Sequence, residues 1–511
     1  MLSQMYQGLL LVLNFSTLGM VTLGVLVGTI FGALPGLTTA MAMGLFVPVT
    51  FFMGPLIGIP FLMGLYKGGI YGGSIPAILI STPGTGAAAA TVADGYELTK
   101  QGKSGKALQM AKYASVIGDS ISSIATLFTI GILSEFSKKI GVVEVFAVLI
   151  FTFVIITTVS GKSILKGLIS GCLGLLVSLV GMDIFTGSPR FTFGSVYLIG
   201  GISFVPLLIG MFALSEIFLL IQKQFVNAQK FIFDKGKIKK GFDKLTKSEL
   251  FNCLPTIVRS SIIGIFIGII PGIGQPISAF LCYGIAKNKS KNPEKFGKGA
   301  LEGVAAAESG NNAVDGSTFI PLLTLGIPGD VITAIMLGAF VVQGLRPGPS
   351  LMSDYGAEMY GILITMVLAN FILFGIASFL IPIFSKLVLI PKEILIPIIL
   401  SLAVVGAYAI NNSTFDLFIA FIFGIVGYVM KLYEFPLSPF VILFLLGDKI
   451  ERSLGQTLVK GDGSLAILFQ RPISAVILIF TIIFLLFTVY NNFFKKRKTP
   501  LLSNHKNTND F

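Results

Sequence analysis

The 511-residue chain has no tryptophan, one histidine, three cysteines and only 12% charged residues. Each scarcity excludes something. The histidine, His505, lies in a polar tail, so neither a His-ligated metal site nor a histidine proton relay is expected, and no metal ligands are assigned. Cys172, Cys253 and Cys282 have no CxxC spacing and read as small packing residues. No GxxxxGK[ST] occurs: the GKS runs at 102–104 and 161–163 lack the earlier glycine, so no ATPase is built in. With no nucleophile–base pair and no metal cluster, an intramembrane enzyme is disfavoured and no cofactor is expected.

What is abundant is apolar surface. Hydrophobic residues make up 54% of the chain and the mean hydropathy is +0.89. Many apolar runs reach the ~18–20 residues that cross a bilayer core. The alternating segments of about ten residues that mark a β-barrel are absent. The expected fold class is an all-α polytopic integral membrane protein with about 11–15 membrane segments. The net charge of +13 sits in short loops between spans, so it reports topology rather than nucleic-acid binding. The N-terminus MLSQMYQ lacks a basic n-region and reads as retained.

One stretch organises the rest. Phe61 to Gln109 starts as a membrane segment and then breaks at Pro76 and Pro83-Gly84. Proline removes a backbone donor and glycine loosens the helix, and freed backbone at membrane depth is tolerated only inside protein or along a cavity. A second stretch from Gly303 is also rich in small residues and breaks at Pro328-Gly329. Each copy has an upstream companion break, Pro35-Gly36 and Pro271-Gly272. Pro35 to Pro271 is 236 positions and Pro83 to Pro328 is 245, far beyond solenoid periods and consistent with a two-fold transporter repeat.

The motifs YGGSIPAILISTPG with DGYELTKQGKSGKAL, and EGVAAAESGNNA with PLLTLGIPG and QGLRPGP, follow one another in a specific order. In this the chain resembles the large membrane subunit of the tripartite tricarboxylate transporters, the TctA-like family, over about residues 10–480. The resemblance implies secondary active uptake of tricarboxylates or related carboxylates across the cell (inner) membrane. It also implies a small TctB-like membrane subunit and an extracytoplasmic TctC-like solute-binding protein. A permease for another organic anion powered by a separate ATPase is the alternative, and a passive channel is disfavoured by the repeated breaks.

Lysines suggest that the halves are inverted. The connector 51–59 has no Lys or Arg while its partner 287–298 has five lysines; 96–106 has three while its partner 343–354 has only Arg346. A stretch at 222–252 holds eight lysines against three acids. The layout is therefore an N-terminal transmembrane repeat, 1–221; a basic cytoplasmic linker, 222–252, amphipathic from Phe231 to Leu245; and an inverted C-terminal repeat, 253–450. An additional transmembrane segment, 451–492, and a cytoplasmic tail, 493–511, follow. Spans are expected near 8–31, 164–184, 196–221 and 436–448, among others.

A helix starting after a Pro-Gly break presents unpaired N–H groups and about half a positive charge, which suits a carboxylate. The substrate-binding candidates are therefore Pro35, Gly36, Thr38, Pro83, Gly84, Pro271, Gly272, Pro328 and Gly329, with the polar neighbours Ser74, Ser81, Thr82, Gln275, Asn311 and Asn312. Lys67 lies in mid-run and is expected to counter a substrate carboxylate or to pair with Glu308 or Asp315, with snorkelling to an interface as the ordinary alternative. An uncharged residue is commoner there in the family pattern, so Lys67 is a departure. Glu308 and Asp315, seven apart and on one helix face, are the cation-coupling candidates, for Na⁺ or H⁺. Asp94 and Tyr96 match the family pattern, and their place near a basic connector favours a capping or loop role.

Overall fold

The structure, a computed structural model, describes residues 1–159, 163–226, 243–387 and 392–490. The first half begins with α1 (Leu2–Val12), α2 (Phe15–Ala33), α3 (Thr39–Thr50), α4 (Pro55–Ile80) and α5 (Ala88–Lys100). It continues with α6 (Ser104–Ser137), α7 (Val142–Val159) and α8 (Ile164–Ser178). A two-stranded hairpin follows, β1 (Gly181–Met182) and β2 (Pro189–Arg190), then α9 (Phe204–Leu208), a π-helical stretch and α10 (Ser215–Val226). The second half holds α11 (Lys247–Ile269), α12 (Gly274–Lys289), α13 (Leu301–Ser317), α14 (Phe319–Leu325) and α15 (Val331–Val342). The chain then runs through α16 (Leu351–Asp354), α17 (Gly356–Leu387), α18 (Lys392–Ala409), α19 (Thr414–Leu432), α20 (Leu437–Lys460), α21 (Ile467–Gln470) and α22 (Pro472–Tyr490). Among the described residues eight helices are long and apolar enough to cross a membrane, and four shorter apolar helices accompany them.

Local chemistry moves several expected boundaries. The segment expected at 8–31 is two helices, because the Asn14 side chain accepts from Thr17 N at 2.8 Å and starts a new helix. A capping box between Thr246 and Glu249 starts α11 inside the stretch expected as linker. The span expected from 196 starts only at Phe204, since the hairpin and a glycine-punctuated loop occupy 181–203. The helix expected to stop at 448 continues to Lys460. Most of the Phe231–Leu245 stretch, and the whole 493–511 tail, lie outside the described residues.

The two breaks in each half share backbone conformation at matching positions. Before the first, Leu34 and Ile270 share an extended backbone (ψ 119° and 114°), and Gly36 and Gly272 take φ of 91° and 87°. At the second, Thr82 N and Ile327 N each donate to a proline carbonyl, Pro76 and Pro321, at 3.2 Å. Glycines let the paired helices touch. A side chain at Gly28 or Gly32 of α2 would strike the Leu65 or Gly69 carbonyl of α4, and one at Gly264 or Gly268 of α11 would strike the Gly310 or Val314 carbonyl of α13. Those contacts match at the offsets of 236 and 245 seen at the prolines.

The broken helices lie at the centre. Every residue from Gly58 to Leu79 of α4 and from Gly303 to Ser317 of α13 is buried. The basic connectors meet at one end. Gln101 Nε2 donates to Lys298 O at 2.7 Å, Lys106 pairs with Glu249 at 2.7 Å, and Leu245 N donates to Gln109 Oε1 at 3.2 Å. Asp94 ties α5 to the connector before α13, accepting from Gly297, Gly299 and Ala300 N at 2.8–2.9 Å and from the Tyr283 hydroxyl at 2.9 Å. The connectors poor in lysine meet each other elsewhere, where Gln343 Nε2 donates to Thr50 O at 2.7 Å.

Candidate functional site

All four breaks open onto one cavity of about 610 Å³. The first contributes Thr38 and Thr39, the second Pro83 to Ala87, the third Gly272 to Ile277 and the fourth Asp330 to Ile332. Of the expected residues, Thr38, Pro83, Gly84, Gly272 and Gln275 line it. The others hold the walls or lie elsewhere. Gly329 O accepts from Gly272 N at 2.8 Å, tying the third break to the fourth, and Gly84 N donates to Gly73 O at 3.0 Å. Pro328 is buried; Pro35 and Gly36 form the turn ahead of Thr38; Ser81 and Thr82 are exposed just before Pro83. Pro271 lines a different, apolar cavity of about 490 Å³ beside Pro321 and Thr324.

The four helix N-termini at the cavity are not equivalent. Thr38 caps α3 through Met41 N, and Asp330 caps α15 in a capping box with Thr333. The N-termini of α5 and α12 follow Ala87 and Ile273 and have no capping side chain from those positions; Thr85 Oγ1 takes only Ala88 N, at 3.2 Å. The positive ends of the α5 and α12 dipoles therefore face the cavity, one from each half, with Ala88 N taken by Thr85 Oγ1 and Ala90 N by Ala87 O at the start of α5. Gly86 and Pro276 bring these two helix starts together, since a Cβ on Gly86 would stand 3.2 Å from Pro276 Cγ. The cavity wall also carries a Glu216–Lys431 ion pair at 2.6 Å.

Behind this wall lies a buried polar layer. Glu308 accepts from Ser74 at 2.6 Å, from Ser115 at 3.1 Å and from Thr91. Asn312 Nδ2 donates to Ser115 Oγ and to the Glu308 carbonyl, both at 2.9 Å. Gln275 Nε2 donates to Asp315 Oδ1 at 3.0 Å and to the Tyr66 hydroxyl at 2.5 Å, and that hydroxyl donates to Asp330 Oδ2 at 3.2 Å. A hydrogen-bonded chain thus runs from Asp315 to the cavity at Asp330. Asp315 Oδ2, both Asn311 amide atoms and Thr318 Oγ1 are buried without a hydrogen-bond partner. Such groups cost about 1–3 kcal/mol each when nothing satisfies them.

Lys67 is neither at an interface nor paired with Glu308 or Asp315. It is 1% exposed and forms an ion pair with Asp119 of α6, with Ser123 Oγ 3.2 Å away. Ser123 in turn donates to Asp119 Oδ1 at 3.0 Å, and the Asn370 amide of α17, with its nitrogen assigned to the side of Asp119 because the opposite orientation would face oxygen to oxygen, donates to Asp119 Oδ2 at 2.7 Å. Asp119, Thr91, Ser115, Tyr66 and Asn370 were not among the sequence candidates. Asp119 alone carried a usable signal, a carboxylate inside the apolar helix SVIGDSISSIATLF.

Comparison with known proteins adds the lineage. The family model described as "Tripartite tricarboxylate transporter TctA family" matches residues 18–442. An uncharacterized 52.8 kDa protein of Agrobacterium vitis, described from the TAR-I ttuC' 3' region, is 35% identical over 457 residues, 89% of each chain. A second Agrobacterium vitis protein, uncharacterized and from the TAR-II ttuC' 3' region, is 39% identical over 215 residues, 42% of this chain and 89% of its own. No solved structure matches the chain. With both halves, all four breaks and the matched span in agreement, the chain belongs to the tripartite tricarboxylate transporter TctA family, the large membrane subunit of those transporters.

Proposed function

We propose that this subunit carries a tricarboxylate or related carboxylate through the cavity between the four breaks, driven by a Na⁺ or H⁺ gradient. An extracytoplasmic binding protein delivers the anion, a small membrane subunit completes the complex, and the assembly sits in the cell inner membrane. The observation that carries this reading is the meeting of two helix N-termini, those of α5 and α12, whose N-cap residues Ala87 and Ile273 offer no capping side chain, inside one cavity. Charge-assisted bonds from backbone N–H to a carboxylate are each worth about 1.5–3 kcal/mol, enough for an anion without a side-chain cation. Glu308 and Asp315 are the coupling groups, with Asp315 linked to the cavity through Gln275 and Tyr66.

Inversion of the two halves fits the connectors. The loop between α3 and α4 touches the loop after α15, while its counterpart between α12 and α13 touches the loop after α5. Alternating access then follows from one half moving against the other around the cavity. The test is citrate binding by the purified chain, measured calorimetrically. Wild type is expected to bind, and Gly86→Trp, which fills the cavity from its α5 edge, to lose binding while remaining folded and monodisperse. Undiminished citrate binding by a folded Gly86→Trp protein would remove the cavity from this reading. Uptake that survives ATP depletion but stops when ion gradients collapse would distinguish gradient coupling from a separate ATPase.

A further inference from the structure

The offset of 245 that maps Leu65 onto Gly310 and Pro76 onto Pro321 also maps Lys67 onto Asn312. Both side chains reach α6. The Asn312 amide bonds Ser115, and one turn on, the Lys67 ammonium bonds Asp119 and lies 3.2 Å from Ser123 Oγ. The architecture therefore accepts a neutral residue at this place in one half and an ammonium in the other. The ammonium sits against two oxygen groups of α6, the Asp119 carboxylate and the Ser123 hydroxyl, and the Asn370 amide nitrogen of α17 lies on the same carboxylate. Carboxylate and hydroxyl oxygens are among the ligands that hard cations select. Asp119, Lys67 and Asn370 are all 0–1% exposed, so no bulk water neutralises the carboxylate.

We infer that the Lys67 ammonium is a resident substitute for a mobile monovalent cation, filling at Asp119 a Na⁺ position that the surrounding oxygens would otherwise form. Removing the lysine leaves an uncompensated buried carboxylate, a strongly unfavourable state that a small cation relieves. This part of the chain consequently takes up no Na⁺ of its own, whatever ion Asp315 and Glu308 respond to. The inference stands apart from the identity of the cargo, because its test reads cation binding and not transport.

The experiment compares wild type, Lys67→Ala, Lys67→Asn and the Lys67→Ala/Asp119→Asn double variant, purified and intact. Two readouts are taken: radioactive sodium bound per chain, and the unfolding midpoint in sodium chloride against choline chloride at equal ionic strength. Lys67→Ala is expected to bind one more Na⁺ per chain than wild type and to gain several degrees more from sodium than wild type does, as ligand linkage requires. Recovery of folded Lys67→Ala or Lys67→Asn only in sodium counts as the same result. The double variant, with no charge left to balance, is expected to return to the wild-type sodium response. Lys67→Ala with the wild-type sodium count and shift, or failure of both single variants to fold even in sodium, would overturn the inference. So would a sodium gain that persists when Asp119 is also replaced.

Discussion

Ser81 and Gly326, 245 positions apart, both end a broken helix in the left-handed conformation, with φ of 58° and 61°, and each donates its N–H to a proline carbonyl five residues back. The left-handed region costs an L side chain about 1–2 kcal/mol, and only the second copy avoids that cost with glycine. A Cβ at Gly326 would also stand 2.5 Å from the Pro347 carbonyl, whereas Ser81 is exposed. Gly326→Ala is therefore expected to lower the unfolding midpoint well beyond Ser81→Ala, which adds no backbone strain. Thermal unfolding in detergent checks this; equal losses would mean that the two ends are not the same motif.

The pairing of α2 with α4 and of α11 with α13 rests on backbone contact at glycines. Overpacking such a contact costs about 1–3 kcal/mol or more when the neighbour is backbone and cannot yield. Gly28→Ala and Gly264→Ala should each lose folded protein, judged by monodisperse yield. Gly284→Ala, on α12 with nothing within 4 Å of its added Cβ, should not. Similar yields for all three would contradict the close approach.

Asp94 holds three backbone N–H groups and a tyrosine hydroxyl between the halves. Hydrogen bonds to a charged acceptor contribute roughly 1.5–3 kcal/mol each. Asp94→Ala is expected to cost several kcal/mol and Asp94→Asn, which keeps one acceptor oxygen, distinctly less. Chemical unfolding that ranks the two variants equally would show that the bonds carry little.

Asp315 keeps one buried carboxylate oxygen without a hydrogen-bond partner while the other joins the chain to the cavity. If that oxygen serves the coupling ion, Asp315→Asn should retain citrate exchange in reconstituted vesicles and lose gradient-driven accumulation by at least tenfold. Accumulation at the wild-type level would remove Asp315 from coupling.

How much of this was legible in the sequence depended on distance along the chain. The Pro-Gly breaks were legible because proline and glycine act on their own backbone, and all four line or brace the cavity. Asp94, read as a capping or loop residue, instead sits inside α5 and binds groups 189 to 206 positions away, which no local pattern carries. The partner of Lys67 was not legible either. Asp119 lies 52 positions away on α6, and which helix faces α4 is decided by tertiary packing that one-dimensional periodicity does not carry. The same holds for Tyr66 and Asp330, 264 positions apart, whose contact exists only because α15 starts against α4. The split between α1 and α2 was readable in principle from Asn14, but a continuous apolar run masked that cap.

The measurement that bears most directly on the central claim is a cryo-electron microscopy structure of the complete transporter in lipid nanodiscs with citrate present. The expected result is ligand density in the cavity of the four breaks, with carboxylate oxygens within hydrogen-bond distance of the first N–H groups of α5, near Gly86 and Ala87, and of α12, near Gly274 and Gln275. Citrate density bound within the membrane subunit but remote from both helix starts, with the cavity holding only water, would contradict it.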